Sequence, residues 1–308
     1  MRIFVAGGTG VLGRRAVALM VEAGHEVTVS TRSTARQVAV GAAGATPVTV
    51  DLFDAPAVVK MVEGHDVVAN LATHIPKASR MAMPSAWKEN DRIRTEVSTN
   101  LAAAVLSTGV GRYVQESIAF LYADAGDAWI TEAAPVEPTA NLASALTAEA
   151  NVVRVVEAGA TGIALRFAGF YGPDSHSTLD TIRFAKKRVT GGFGKDTYVS
   201  SITTDDAAAA VFAALNAPSG LFNVGDDDPV TRHEFAAVLA EAIGGKAPII
   251  PPRRMARLAG GWAPMLARSQ RVSNKHFSEA TGWSPKTASV RQGWPEVVAA
   301  IKAESHVS

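Results

Sequence analysis

The chain of 308 residues contains no cysteine. Disulfides, thiolate metal sites, iron–sulfur clusters and a cysteine nucleophile are therefore excluded, and a reducing cytoplasm is the expected compartment. Charge of one sign is also scarce. The formal net charge is +1 with 19% charged residues, so no nucleic-acid surface is expected. Aromatic residues make up 6% against 47% hydrophobic, which leaves a core of Ala, Val and Leu and argues against disorder. No apolar run of membrane-spanning length is free of charges or breakers, so no membrane partner is expected. Met1-Arg2 followed by Ile3 to Ala6 resembles the start of a signal peptide. That run breaks at Gly7, Gly8 and Gly10, with Arg14-Arg15 beyond, so no leader is expected. No His, Asp or Glu cluster has metal-ligand spacing, and Asp226-Asp227-Asp228 fits no calcium-loop register, so no metal is expected.

What is present is an alternation of strand and helix patterns. Ile3 to Ala6 is a short apolar run opening into Gly7-Gly8-Thr9-Gly10-Val11-Leu12-Gly13. Helical spacing follows from Ala16 and stops at Gly24. His25 to Ser30, Val48 to Val50, Asp66 to Leu71, Tyr113 to Ala119 and Ile163 to Phe167 read as further strands. Ala55 to Glu63, Asp91 to Thr108 and Leu142 to Ala158 read as helices between them. The fold class expected is α/β, a doubly wound parallel Rossmann sheet with a smaller, mostly C-terminal substrate-binding part. Residues 1–168 form the dinucleotide-binding domain on this reading. Residues 169–308 are mostly the substrate-binding part, with short strands such as Leu221 to Val224 and some elements returning to the sheet.

Glycines 7, 10 and 13 stand between the first strand and the first helix. There they permit a tight turn, close approach of a pyrophosphate and close helix–strand packing, while the helix N-terminus offers free N–H groups. Gly7, Thr9, Gly10, Val11, Leu12 and Gly13 are thus candidate cofactor-binding residues. An NAD site wants a carboxylate at the end of the second strand; here that end reads Ser30-Thr31-Arg32-Ser33. Arg32 suits a 2′-phosphate, Arg36 and Arg14 could add to it, and NADPH is favoured with NADH possible. Asp51 and Leu52, at the end of the third strand, are placed to meet the adenine; a turn or helix-capping aspartate is the plainer reading.

The sequence resembles the extended short-chain dehydrogenase/reductase family along nearly its whole length. Gly7 to Gly13, Asp51-Leu52-Phe53-Asp54, Asn70-Leu71-Ala72, Asn100 to Ala104, Leu165 to Pro173, Thr204 to Ala207, Phe222 to Gly225 and Gly282 to Pro285 carry the likeness. The resemblance places the nicotinamide near Leu71, Ala72, Thr73 and His74. It also implies a catalytic Ser or Thr with a Tyr and a Lys spaced YxxxK, and these are missing. Aligning Tyr122 with the family's strand-end tyrosine puts Ile118 at the hydroxyl position, with Ser117 one residue early and on the other face. Asn141 stands at the tyrosine position and Ala145 at the lysine position. No Lys lies between Arg112 and Lys186, so no shift restores the pair.

Catalytic candidates in their place are Ser117, His74 and Asn141, with Thr73, Ser144, Tyr171 and His176 also near by; each has a bland reading as a loop, strand-end or capping residue. Positioning of two reactants lowers a barrier by about 7–11 kcal/mol, more than the roughly 10²–10⁴-fold from a general acid. Reduction of an activated carbonyl therefore survives loss of the triad better than oxidation of an unactivated sugar alcohol. The expected function is an NADPH-dependent ketoreductase of an activated, aromatic ketone, and the resemblance extends this to tailoring of polyketide antibiotics. The alternatives are a nucleotide-sugar epimerase or dehydratase with relocated groups, and a non-catalytic NADP-sensing protein. The partner is a small-molecule substrate, and the state is a monomer or homodimer. His74 to Pro84, with Met81 and Met83, is a candidate substrate mouth. The basic stretch from Arg253 to Lys275, with Trp262 interleaved, is a candidate lid or a solvated helix face.

Overall fold

Seven parallel strands with apolar residues on both faces form the centre of the fold, in the order β3-β2-β1-β4-β5-β7-β11. In chain order the elements begin β1 (Arg2–Ala6), α1 (Val11–Glu22), β2 (Glu26–Ser30), α2 (Thr34–Ala42), β3 (Thr46–Val48), α3 (Ala55–Val62) and β4 (Val67–Asn70). There follow α4 (Pro84–Arg92), α5 (Ser98–Thr108), β5 (Arg112–Ile118), β6 (Trp129–Ile130), α6 (Ser144–Glu157) and β7 (Thr161–Phe167). The last part holds β8 (Gly169–Tyr171), α7 (His176–Lys186), β9 (Tyr198–Val199), β10 (Ser201–Thr203), α8 (Thr204–Ala214) and β11 (Gly220–Val224). It ends with β12 (Val230–Thr231), α9 (Arg232–Ile243), α10 (Met255–Ala259), β13 (Arg271–Val272), α11 (Lys275–Thr281) and α12 (Val290–Val307). The structure is a computed structural model and describes residues 1–81, 83–259 and 263–307; Ala82 in the candidate mouth and Trp262 in the basic stretch lie outside them.

Alternation along β1 shows how the sheet is covered. Ile3 and Val5 join a core with Leu12, Ala16, Val17 and Met20 of α1 and the alanines of α8. Phe4 and Ala6 face a second core built with α3, α5 and α6. Both α8 and β11 belong to the C-terminal part yet lie with the sheet, β11 pairing in parallel with β7 from Gly220–Ile163 to Val224–Phe167. Outside the sheet, α7, α9 and α12 pack around Trp294, on which Tyr171 stacks at 5.3 Å.

Three elements depart from their sequence spacing. The third strand is Thr46–Val48 rather than Val48 to Val50, because Thr31 N–H takes the Val48 carbonyl and the chain then turns. The helix expected from Asp91 begins at Pro84, a favoured first-turn residue, and passes through a π-helical segment over Ile93–Val97. That wider turn accompanies the burial of Arg94, which pairs with Glu116 at 2.9 Å. The helix expected from Leu142 begins at Ser144, after a turn in which the Thr139 carbonyl accepts from Leu142 and Ala143.

One buried polar assembly ties α6 to the sheet. Glu149 on α6 receives both Arg166 Nε and Nη2 at 2.7 Å and the Ser117 hydroxyl at 2.6 Å. The Arg166 guanidinium lies over the Tyr122 ring at 4.7 Å, and the Tyr122 hydroxyl donates to Asn223 of β11 at 2.8 Å. Glu149→Ala strands the Arg166 charge, so unfolding by urea should show a loss of about 3–5 kcal/mol.

Just beyond β11, burial, with Asp227 and Asp228 adding, pushes the Asp226 carboxyl up to about 8. Its folded pKa thus exceeds its unfolded value of about 4. The unfolded chain releases this proton first, so stability falls as pH rises from about 4 to 8 and then levels. Asp226→Asn should therefore match the wild type in urea midpoint near pH 4 and exceed it at pH 8.5.

Candidate active site

The glycine turn after β1 is built against the end of β4. A Cβ on Gly7 would stand 2.5 Å from the Leu71 carbonyl and the Ala72 nitrogen, and Gly7 adopts φ +78°. A Cβ on Gly13 would stand 2.1 Å from the Gly7 carbonyl oxygen, so the first turn of α1 lies directly on the loop. Asn70 fixes the facing segment: its Oδ1 accepts from Ala72 N–H at 3.2 Å while its Nδ2 donates to Gln115 at 2.9 Å. Gly10 caps α1 without any side-chain hydrogen bond, and no acidic residue stands in the first turn. The N–H groups around Thr9, Val11 and Leu12 thus remain for an anion. This cradle sits between β1 and β4, where the strand order reverses and α/β sheets bind dinucleotides.

At the other end of the cradle, Arg32 follows β2 and Arg36 lies in the first turn of α2, both exposed and neither paired with a described carboxylate. Arg14 departs from its expected role. It pairs with Asp174, and Arg15 joins the same carboxylate at 3.1 Å and Asp205 at 2.5 Å. These contacts bind α1 to the C-terminal part. Asp51 sits in a turn with its Oδ1 accepting from Phe53 N–H at 3.1 Å, while Asp54 caps α3; the turn reading of Asp51 is the observed one, and Leu52 follows it half-buried. The residues present fit a nicotinamide dinucleotide: a turn no side chain could enter, uncapped helix donors and unpaired guanidinium groups.

Two of the three positions the sequence reading compared with the family triad, Ile118 and Ala145, lie in one apolar cluster. Leu142 and Ala145 of the α6 region pack with Trp87 and Leu121, and Met81, Ile118, Phe120, Leu146 and Met265 close around them. Neither Ser117 nor Asn141 opens onto this cluster. Ser117 is fully buried and its proton is committed to Glu149. Asn141 lies in the turn before α6, accepts from Thr139 Oγ1 at 2.7 Å and does not cap the helix, whose N-cap is Ala143. Thr73 and His74 are exposed after β4, and His74 is held only through its backbone N–H, by Asn90 at 3.0 Å. Ser144 donates to Asp91 at 2.8 Å, His176 is exposed at the start of α7, and Tyr171 is buried on Trp294. Met83 is half exposed, so of the two methionines in the candidate mouth only Met81 joins the cluster.

A cleft with about 360 Å³ of empty space, open solvent included, adjoins that cluster. Ala119 and Phe120 beyond β5, and Ala168 and Gly169 beyond β7, form its sheet side. Tyr198 to Ser200, Arg232, Met265, Leu266, Gln270 and Val272 form the other. Phe120 and Met265 belong to both cleft and cluster, so the two adjoin. Arg232 is the functional candidate that the sequence reading passed over. A cation at the first position of a helix, opposing the dipole, was the signal available for it. Among the described residues no group of three or more His, Cys, Asp or Glu could hold a metal, and no helix is long and apolar enough to cross a membrane.

The fold and cradle define a nicotinamide-dinucleotide oxidoreductase of the Rossmann type. The chain belongs to the NAD dependent epimerase/dehydratase family, whose profile matches residues 3–225. It is 30% identical to a 3-diazoavenalumate denitrifying reductase from a Streptomyces species, over 95% of this chain and 99% of that protein. Among solved structures it is similar to the UDP-glucose 4-epimerase of Thermotoga maritima, with a TM-score of 0.79 and 20% identity over 99% of this chain and 100% of that one. The UDP-glucose 4-epimerase of Thermus thermophilus, solved with NAD, is 24% identical with a TM-score of 0.75, over 98% of this chain and 99% of that one. The enzyme is an NAD(P)-dependent oxidoreductase.

The glycine contacts make an unequal pair of substitutions. Gly13→Ala must push the loop backbone and should lower both the melting temperature and dinucleotide binding. Gly10→Ala, whose Cβ meets nothing nearer than 3.4 Å, should keep its melting temperature. Calorimetry of the two variants compares them directly.

Proposed function

We propose that the protein is an NADPH-dependent reductase of a small, activated, aromatic electrophile, working without a protein acid–base pair. The observation that carries this reading is the apolar cluster. Ile118 and Ala145 are apolar members of it, so these two positions carry neither a hydroxyl nor a cation. Bound in the glycine cradle, the reduced nicotinamide supplies a hydride. The chain's own residues contribute binding and orientation. Gly7, Gly10 and Gly13 admit the pyrophosphate, Arg32 and Arg36 hold the 2′-phosphate, and Leu71, Ala72 and Thr73 line the way to the nicotinamide. Phe120, Met265 and Leu266 offer an apolar, water-excluding surface to a planar substrate.

An acceptor electrophilic enough to take hydride before protonation needs no general acid from the protein. A ketone hydrogen-bonded to its own phenol, of the kind found in aromatic polyketides, meets that condition. The reductase relative favours a second acceptor. Its name specifies a diazo compound and loss of nitrogen, and an aryl diazonium that gains hydride and releases N₂ becomes the arene with no proton required. A sugar 4-epimerase cycle begins instead by oxidising an unactivated alcohol, which requires a base where this cluster has none.

The decisive assay is consumption of NADPH with a panel of aromatic ketones and aryl diazonium salts, beside UDP-glucose. Turnover of either aromatic class supports the proposal, and turnover of UDP-glucose alone replaces it with the epimerase reading. NADPH binding with no turnover of any class leaves a cofactor-sensing protein. Arg32→Ala should weaken NADPH about tenfold or more while changing NADH less than about threefold, as removal of one charge-assisted contact implies. Equal losses in a titration of the two would remove Arg32 from the 2′-phosphate.

A further inference from the structure

Among the described residues that line the cleft, Arg232 alone carries a charge, and no described carboxylate balances it. It is the first residue of α9, directly after the capping Thr231, whose hydroxyl accepts from Glu234 N–H. A cation there meets the positive end of the helix dipole, the end that favours anions. Burial lowers its pKa to about 10, and no anionic neighbour opposes that shift. Nη1 donates to Thr197 Oγ1 and, at 3.0 Å, to the Arg268 carbonyl, both neutral acceptors. Nε and Nη2 donate to no described residue. A Cβ on Gly192 would stand 2.3 Å from Nε, so the bare glycine lets the loop backbone close on the guanidinium. Arg232 is half-buried, and the fully buried arginines are paired: Arg94 with Glu116, Arg166 with Glu149 and Arg268 with Glu137. A desolvated guanidinium without a counter-ion costs stability unless an anion arrives from outside the chain.

We propose that Arg232 is the anchor for a carboxylate of the substrate, which is therefore an aromatic or conjugated organic acid. Thr197 and the Arg268 carbonyl fix one arm of the guanidinium and leave Nη2 for the acid, with the α9 N-terminus adding field of the same sign. The cleft runs from Arg232 to the ends of β5 and β7, so an acid held there lays its body along Phe120 and Met265 and presents its far end to the sheet edge. This assignment rests on the cleft being the substrate site of the proposed reductase.

The test uses trans-cinnamate and its neutral isostere trans-cinnamamide, titrated calorimetrically into the full chain. Cinnamate should bind about tenfold or more tightly, the scale of one charge-assisted pair. Arg232→Gln should abolish the preference, and Arg232→Lys, which keeps charge but loses the planar fork, should retain part of it. Circular dichroism checks that each variant is folded, and the lysine variant decides if the glutamine variant is not. Equal binding of the two probes by the wild type overturns the assignment. So does absence of cinnamate binding, retention of the preference in Arg232→Gln, or displacement of cinnamate by UDP. NADPH is titrated into the same samples. Carboxylate preference without NADPH binding sinks the reductase reading alone, and NADPH binding without the preference sinks the Arg232 anchor alone.

Discussion

The bidentate pair between Glu149 and Arg166 holds the two halves of the site in register. Glu149 comes from α6, the helix that the family uses for proton transfer, and Arg166 from β7, the strand that leads into the cleft. The same carboxylate takes the Ser117 proton of β5, and the guanidinium underlies Tyr122, which reaches Asn223 of β11. Three strands and one helix are thus fixed by groups that cannot be left unpaired in a buried setting. A hydroxyl and a carboxylate that might otherwise look catalytic are committed to this task. What the segment after β5 turns to the cleft, Ala119 and Phe120, is apolar.

The cofactor cradle is independent of that buried assembly. The cradle depends on backbone: glycines pressed against the β4 end, Asn70 pinning that end, and an uncapped helix start. None of these features involves the residues at 118, 141 and 145. Ile118 and Ala145 belong instead to a packed cluster with Trp87, Leu121 and Met265, where a lysine or tyrosine hydroxyl would be desolvated without a partner.

The sequence by itself determined the order of strands and helices along the chain, the glycine cradle and the residue identities at 118, 141 and 145. These are properties of local period, of glycine spacing and of residue identity at fixed offsets, and they survive any reasonable packing. It did not determine the extent of β3, the turn before α6, or the π-helical segment around Arg94, since hydrogen bonds between distant residues set those ends. Nor could it say that Ser117 faces Glu149, that Arg14 is taken by Asp174, or that Arg232 stands alone in the cleft. A charge on a sequence has no partner until the chain brings one within a few ångströms. Only the tertiary structure decides which charges are neutralised inside the fold and which are left for a ligand.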